Sequence, residues 1–390
     1  MQRYAALLMP RVLDLNPFRF SGPLAPEDMI DRNLEAEELL ALAEGGHSFR
    51  LLGPRRYGKT TLLRRVLEAA EREGMATVLV DLQDVLSIAE IVVRIERGYD
   101  RLKGQVRRHV DNLLRSWNIG LSLGGGGFTA TLQRSQHVDA ESVLLRLLEL
   151  PTALFERNGT TCLIAFDEIQ DVLAVPGADG KIRSVIQHQA EAATYAFAGS
   201  APGVMQQLFA DPKRPLLDQA VPKNLAPLPL DEVGEYVTTR FARTGREVGA
   251  ALSPLLEFTR GHPQRSMMLA HYLWQRTPRG ASADEGTWVG ALGLASSDSA
   301  PLMQAIWRAL AVNERRMARA LALGASPLYS QDTASAVGIN RASIGRALDG
   351  LANNADTIDD GGATRLTDPM FEHWLKGRGL TPDSGEESED

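Results

Sequence analysis

Strand and helix signals alternate along the first half of the chain, and the second half carries helical apolar stripes. His47 to Leu52, Ala76 to Leu82, Cys162 to Phe166 and Tyr195 to Ala198 read as strands. The apolar positions of Cys162 to Phe166 and Tyr195 to Ala198 are continuous rather than alternating, the mark of a sheet covered on both faces. Between the first two, Thr60 to Arg72 carries Leu62, Leu63, Val66, Leu67 and Ala70 at helical spacing. Strands alternating with helices imply a parallel α/β sheet. A helix over Asp31 to Glu44 precedes them, with Asp31 as its cap, Leu34, Leu39, Leu40 and Leu42 on its apolar side, and Gly45-Gly46 as its stop.

A long insertion separates the second strand from the Cys162 run. Ile88 to Trp117 reads as helix and carries Arg94, Arg97, Arg101, Lys103, Arg107 and Arg108. This basic face is either a nucleic-acid surface or a solvated face paired with acids such as Glu96 and Asp111. Asn118 to Gln133 reads as a hairpin around Gly124 to Gly127, and Ala140 to Phe155 as a further helix. After Pro229 the pattern is helical over Asp231 to Thr244, Gly249 to Thr259 and Pro263 to Arg276. Gly280 to Ser297, rich in Gly, Ala and Ser, reads as a linker.

From Pro301 a new apolar pattern begins. Helices over Asn313 to Leu323, Tyr329 to Val337 and Arg341 to Leu351, the last two joined by Gly338-Ile339-Asn340, have helix-turn-helix spacing. Thr357 to Thr367 reads as a wing, and Asp368 to Lys376 closes the unit with Phe371 and Trp374. The predicted layout is an arm (1–30), an α/β core (31–229, insertion about 86–140), a helical lid (230–290), a winged helix (300–379) and an acidic disordered tail (380–390).

Composition narrows the function classes. The net charge of -7 argues against a generic basic coat for nucleic acid, leaving only a local patch. The single cysteine, Cys162, excludes an internal disulfide and a cysteine zinc site. The N-terminus lacks a signal-peptide pattern, and no run approaches the roughly 20 apolar residues of a membrane span. The expectation is a soluble cytoplasmic protein.

Residues 53–60 read G-P-R-R-Y-G-K-T, which matches G-x-x-x-x-G-K-[ST] between a strand and a helix. Gly53, Pro54, Arg55, Arg56, Tyr57 and Gly58 form the loop. Its backbone N–H groups and the helix N-terminus would face phosphate. Lys59 would reach the β- and γ-phosphates, and Thr60, beside Thr61, would ligate Mg²⁺. Arg55 and Arg56 would contact phosphate or brace the core by salt bridges. The run C-L-I-A-F-D-E at 162–168 delivers Asp167 to a strand's carboxyl end for the Mg²⁺ shell, and Glu168 to orient or deprotonate the attacking water. Ser200 would sense the γ-phosphate or cap the following helix.

Together these segments resemble the archaeal-type ATPases of the AAA+/STAND-like group, relatives of the origin-recognition ATPases. The matching stretches are DRNLEAEELL, GPRRYGKTTLL, AFDEIQDV, FAGSAPGVM, DPKRPLLDQA with LAPLPLDEV, and FTRGHPQ, over roughly residues 17–378. The resemblance implies a P-loop NTPase core of AAA+ type, a small helical lid and a C-terminal winged helix. It implies sensor 1 at Ser200 and an arginine finger acting in trans at Arg214, hence a homo-oligomer with shared ATP sites. Lids of this family carry a sensor-2 arginine near residues 260–265. Here the arginine is displaced to Arg265, and a helix start at Pro263 is the other reading. Arg32 and Phe20 would pack near adenine.

A DNA reader of this kind would present Asn340, Arg341, Ser343 and Arg346 to the major groove, and Arg365 on the wing. Residues 301–380 hold nine basic and eight acidic side chains, so phosphate attraction by this module alone is weak. Two functions follow: an ATP-driven switch or motor on double-stranded DNA, or a STAND-like signalling ATPase whose winged helix docks protein. A small-molecule kinase would leave the lid and winged helix without use.

Overall fold

The computed structural model describes residues 15–22, 24–117, 139–211, 216, 220–360 and 362–378. The predicted hairpin at Asn118 to Gln133, Arg214 and the acidic tail lie outside them. The core is a parallel sheet of β1 (Phe49–Leu52), β2 (Ala76–Asp81), β3 (Cys162–Asp167), β4 (Ala193–Gly199) and β5 (Val221–Asn224), ordered β2-β3-β4-β1-β5. β3 and β4 are buried at every position, as their continuous apolar runs require. β5 has no apolar run. It is mostly exposed and contains Pro222, which an edge strand tolerates because one side of its ladder is unused.

Alternate side chains of each strand feed opposite layers. Leu163 and Ala165 join Leu51, Ala196 and Ala198 beneath α1 (Asn33–Glu44) and α2 (Lys59–Arg72). Ile164, Phe166 and Phe197 face the other layer. Its helices include α3 (Ile88–Tyr99), α4 (Gly104–Ser116), α5 (Ala140–Asn158), α6 (Ala178–Ile186) and α7 (Pro202–Ala210). The predicted helix from Ile88 to Trp117 is two helices, turned at Gly104 with φ 61°. α1 departs from expectation at its start. Arg32, not Asp31, holds the N-cap position in a left-handed conformation without a side-chain cap, and Leu34 is exposed while Ala36, Leu39 and Ala43 are buried.

Helices α8 (Leu230–Arg243), α9 (Leu252–Thr259), α10 (Pro263–Arg276) and α11 (Glu285–Ala309) follow. α11 overturns the predicted linker at Gly280 to Ser297. Trp288, Ala291, Ala295, Ser299, Met303 and Trp307 recur every three or four residues and are buried, so the small residues are a close-packing face rather than a flexible tether. Next come α12 (Val312–Ala322), α13 (Gln331–Val337) and α14 (Arg341–Asn353), the hairpin β6 (Thr357–Asp360) with β7 (Ala363–Leu366), and α15 (Pro369–Gly377). Ile344, Leu348 and Leu351 of α14 point inward as predicted.

Two compact units result. One gathers residues 25–226 with 310–367, so α12–α14 and the hairpin cluster with the sheet. The other gathers the arm up to Leu24, 227–309 and the segment from Asp368, so α15 clusters with α8–α11. Among the described residues no helix is long and apolar enough to cross a membrane.

Candidate functional site

β1 hands the chain to the loop at Gly53. Leu225, just after β5, packs against it, and a Cβ at position 53 would stand 3.1 Å from the Leu225 Cβ. At the loop's end Gly58 caps α2 with φ 86°, a conformation that L side chains rarely adopt. α2 therefore starts at Lys59 with its free N–H groups at the loop. Tyr57 and Thr61 are buried, whereas Arg55 and Arg56 are exposed.

Lys59 is only 5% exposed, and its Nζ donates to the carbonyls of Gly53 at 2.8 Å and Pro54 at 2.9 Å. The ammonium bends back onto its own loop. Burial lowers its pKa, the Glu168 and Asp167 carboxylates oppose this, and Arg55 adds to the lowering. Thr60 Oγ1 donates to Asp167 Oδ2 at 2.6 Å, joining the two residues that sequence reasoning pairs through Mg²⁺. Burial raises the pKa of Asp167.

β4 lies between β3 and β1, so its end at Gly199-Ser200 falls between the acids and the loop. Glu168 holds a left-handed backbone, φ 50°. Its Oε2 accepts from Ser200 Oγ at 2.8 Å and Ser200 N at 3.3 Å. Ser200 is thus engaged with Glu168, and Ala201 takes the N-cap position of α7. The same oxygen accepts from Gln170 Nε2 at 2.6 Å, a contact that sequence reasoning missed. Gln170 sits in a 3-10 turn (Ile169–Ala174), and only the quoted segment AFDEIQDV hinted at it.

Arg265 is drawn elsewhere. Its Nε donates to Asp368 Oδ1 at 2.9 Å and its Nη2 to Oδ2, with the side chain 2% exposed. His262 caps α10, whose first residue is Pro263, so the helix-start reading holds. Arg32 bonds Glu35 at 2.5 Å and the Ala226 carbonyl at 2.5 Å.

Arg341 and Arg346 are exposed on α14, and Arg365 on β7 is half-buried. Asn340 is exposed and caps α14 by accepting from Ala342 N at 2.9 Å. The far end of α14 meets α7: a Cβ at Gly203 would stand 2.7 Å from the Asn353 Cβ. In the insertion, Arg107 is paired with Asp100 at 2.6 Å and Asp111 at 2.9 Å, the solvated pairing expected there. Arg97, Arg101, Lys103 and Arg108 are exposed.

No protein-family model matches the chain, and no curated protein matches it either. Solved structures do. A Walker-type ATPase of Pyrococcus abyssi superimposes with a TM-score of 0.67 at 18% identity, over 92% of this chain and 99% of that one. The ORC2 protein of Aeropyrum pernix, in ADPNP-ADP complexes, gives 0.56 at 16% identity, over 93% and 98%. Its ADP form gives 0.54 at 15% identity, over the same shares. The chain therefore has the P-loop NTPase fold of these archaeal proteins, as its sequence motifs anticipate.

Proposed function

We propose that the chain is an AAA+-like molecular switch that binds and hydrolyses ATP and acts on double-stranded DNA. The observation that carries this reading is the meeting of Lys59, Thr60, Asp167, Glu168 and Ser200 at adjoining strand ends, with Thr60 and Asp167 in direct hydrogen bond. The related fold of the ORC2 protein, solved in ADPNP-ADP complexes, supports a nucleotide at this place.

The loop N–H groups from Gly53 to Gly58 and the start of α2 would receive the phosphates. Lys59 would exchange its two loop carbonyls for phosphate oxygens, a trade that favours the charged ammonium. Thr60 Oγ1 and Asp167 Oδ2, two hard oxygen donors 2.6 Å apart, suit magnesium and would hold it. When bound, that ion would neutralise charge on the β- and γ-phosphates. Glu168 would orient the attacking water and accept its proton, with Ser200 steadying the carboxylate. Arg214 would complete the site of a neighbouring copy, and Arg341, Arg346 and Arg365 would meet DNA phosphates or bases.

A second reading is favoured by one contact, the seating of α14 on α7 at Gly203 and Asn353. There the helix-turn-helix answers to the ATP site and docks protein, as in a STAND-like regulator. ATP turnover and particle size, measured with and without duplex DNA, separate the two. Stimulation of turnover by DNA, lost at high salt, supports the first. Turnover unchanged by DNA overturns it in favour of the second. Lys59→Ala should weaken ATP binding at least about 100-fold, and unchanged affinity would remove the nucleotide site itself.

A further inference from the structure

We propose that Gln170 is a positioning residue that aims Glu168 at the attacking water. This rests on the hydrolytic reading above. Three donors converge on Glu168 Oε2: the Gln170 amide at 2.6 Å, the Ser200 hydroxyl at 2.8 Å and the Ser200 N–H at 3.3 Å. That oxygen has no capacity for a water as well, so Oε1 is the one that faces the reaction. A carboxylate held from two directions, by the turn after β3 and by the end of β4, cannot swing away as a lone glutamate would.

The surroundings are built to keep the amide in place. Gln170 is 8% exposed, and its Oε1 is buried without a hydrogen-bond partner. A buried amide with one orphaned acceptor is a poor choice for filling space, since methionine or leucine would fill it at lower cost. Its worth lies in the N–H group. Gly199 makes the room: a Cβ there would stand 2.6 Å from Gln170 Oε1 and would also strike the Met205 sulfur. Glu168 takes an unfavourable left-handed backbone, which persists only where the surroundings over-determine it. Replacing the donor with an acceptor there would expel Glu168 rather than hold it.

The test is a double-mutant cycle on the full chain: wild type, Glu168→Gln, Gln170→Met and the pair, with Gln170→Glu as an isosteric second variant. ATP affinity, KM, kcat and the melting temperature without nucleotide are read for each. Gln170→Met keeps the bulk and removes the donor. It should lower kcat roughly 10- to 100-fold, the scale of a misplaced reacting group, with KM and ATP affinity held within about twofold. In the Glu168→Gln background it should change residual turnover less than about twofold, because it acts through that carboxylate. Gln170→Glu should lose at least as much. The apo melting shifts of the two single substitutions should fail to add in the pair, since they remove one shared contact. Wild-type kcat in both Gln170 variants overturns the inference, as does an equal loss with and without Glu168. A wild-type chain that binds ATP but never turns it over overturns the hydrolytic reading, and this inference with it.

Discussion

Asp167 in the sheet unit is buried and Asp368 in the helical unit is partly buried, each beside a basic residue, yet their acidities move in opposite directions. At Asp167 burial comes first, and the Thr60 hydroxyl and Lys59 charge do not offset it, so the pKa rises. At Asp368 burial also comes first, but the Arg265 charge and fork-shaped hydrogen bonds, with His262 and the Met370 N–H, hold the pKa down. The chain has supplied Asp368 with a full set of partners. At Asp167 the nearest ammonium is turned onto its own loop carbonyls. The Asp368 region is finished as folded; the Asp167 region is left short of positive charge, as the proposed cation and phosphate chain would require.

The contrast can be broken most forcefully at the finished pair. Asp368→Ala leaves Arg265 buried and uncompensated, and should cost about 3–5 kcal/mol of stability in chemical denaturation. Replacing both with leucine should cost clearly less, and an equal cost would show that the charge pair is not what matters. Next is the small-residue face of α11, in the same unit. Ala295→Phe should destabilise by roughly 1–3 kcal/mol by overpacking, whereas the same change at the exposed Leu294 should stay within about 0.5 kcal/mol. Equal tolerance at both would restore the linker reading.

The smallest effects sharpen the comparison by sign. Asp368 has a lowered folded pKa, so its stabilisation is present above the ordinary carboxylate value of 3.8 and is lost as pH falls through the lower folded value. Asp368→Asn should therefore lower the melting temperature at pH 7 and matter progressively less as the pH falls below that value. Asp167 has a raised folded pKa, so its ionised form costs stability above that value, and the cost vanishes as pH falls toward 3.8. Asp167→Asn should raise the melting temperature of the nucleotide-free chain at pH 7. It should make no difference near pH 3.8. A loss at pH 7 in place of a gain would end the claim that this site is left incomplete for a ligand.

Much of the proposed ATP site could be read from the chain alone because its parts are local. A loop of fixed spacing must have Gly58 where φ is positive, and a buried strand must end in acid to deliver Asp167 and Glu168. The strands β1 to β4, helix α2 and the three helices of the helix-turn-helix were legible for the same reason: their apolar periods are written within each segment. β5 was not, since an edge strand with Pro222 needs no apolar run. α11 was misread because alanine and serine at a close-packed face have the composition of a tether.

Sequence by itself determined most of the elements and the residue types that each carries to its end. Tertiary structure alone decided which of them meet. Only the order β2-β3-β4-β1-β5 sets Ser200 between the acids and the loop. Only packing brings the Gln170 amide onto Glu168 and takes Arg265 for Asp368. The physical reason is that a period or a motif records what one segment requires of its surroundings. Which distant side chain satisfies that requirement depends on pairwise distances that no single segment contains.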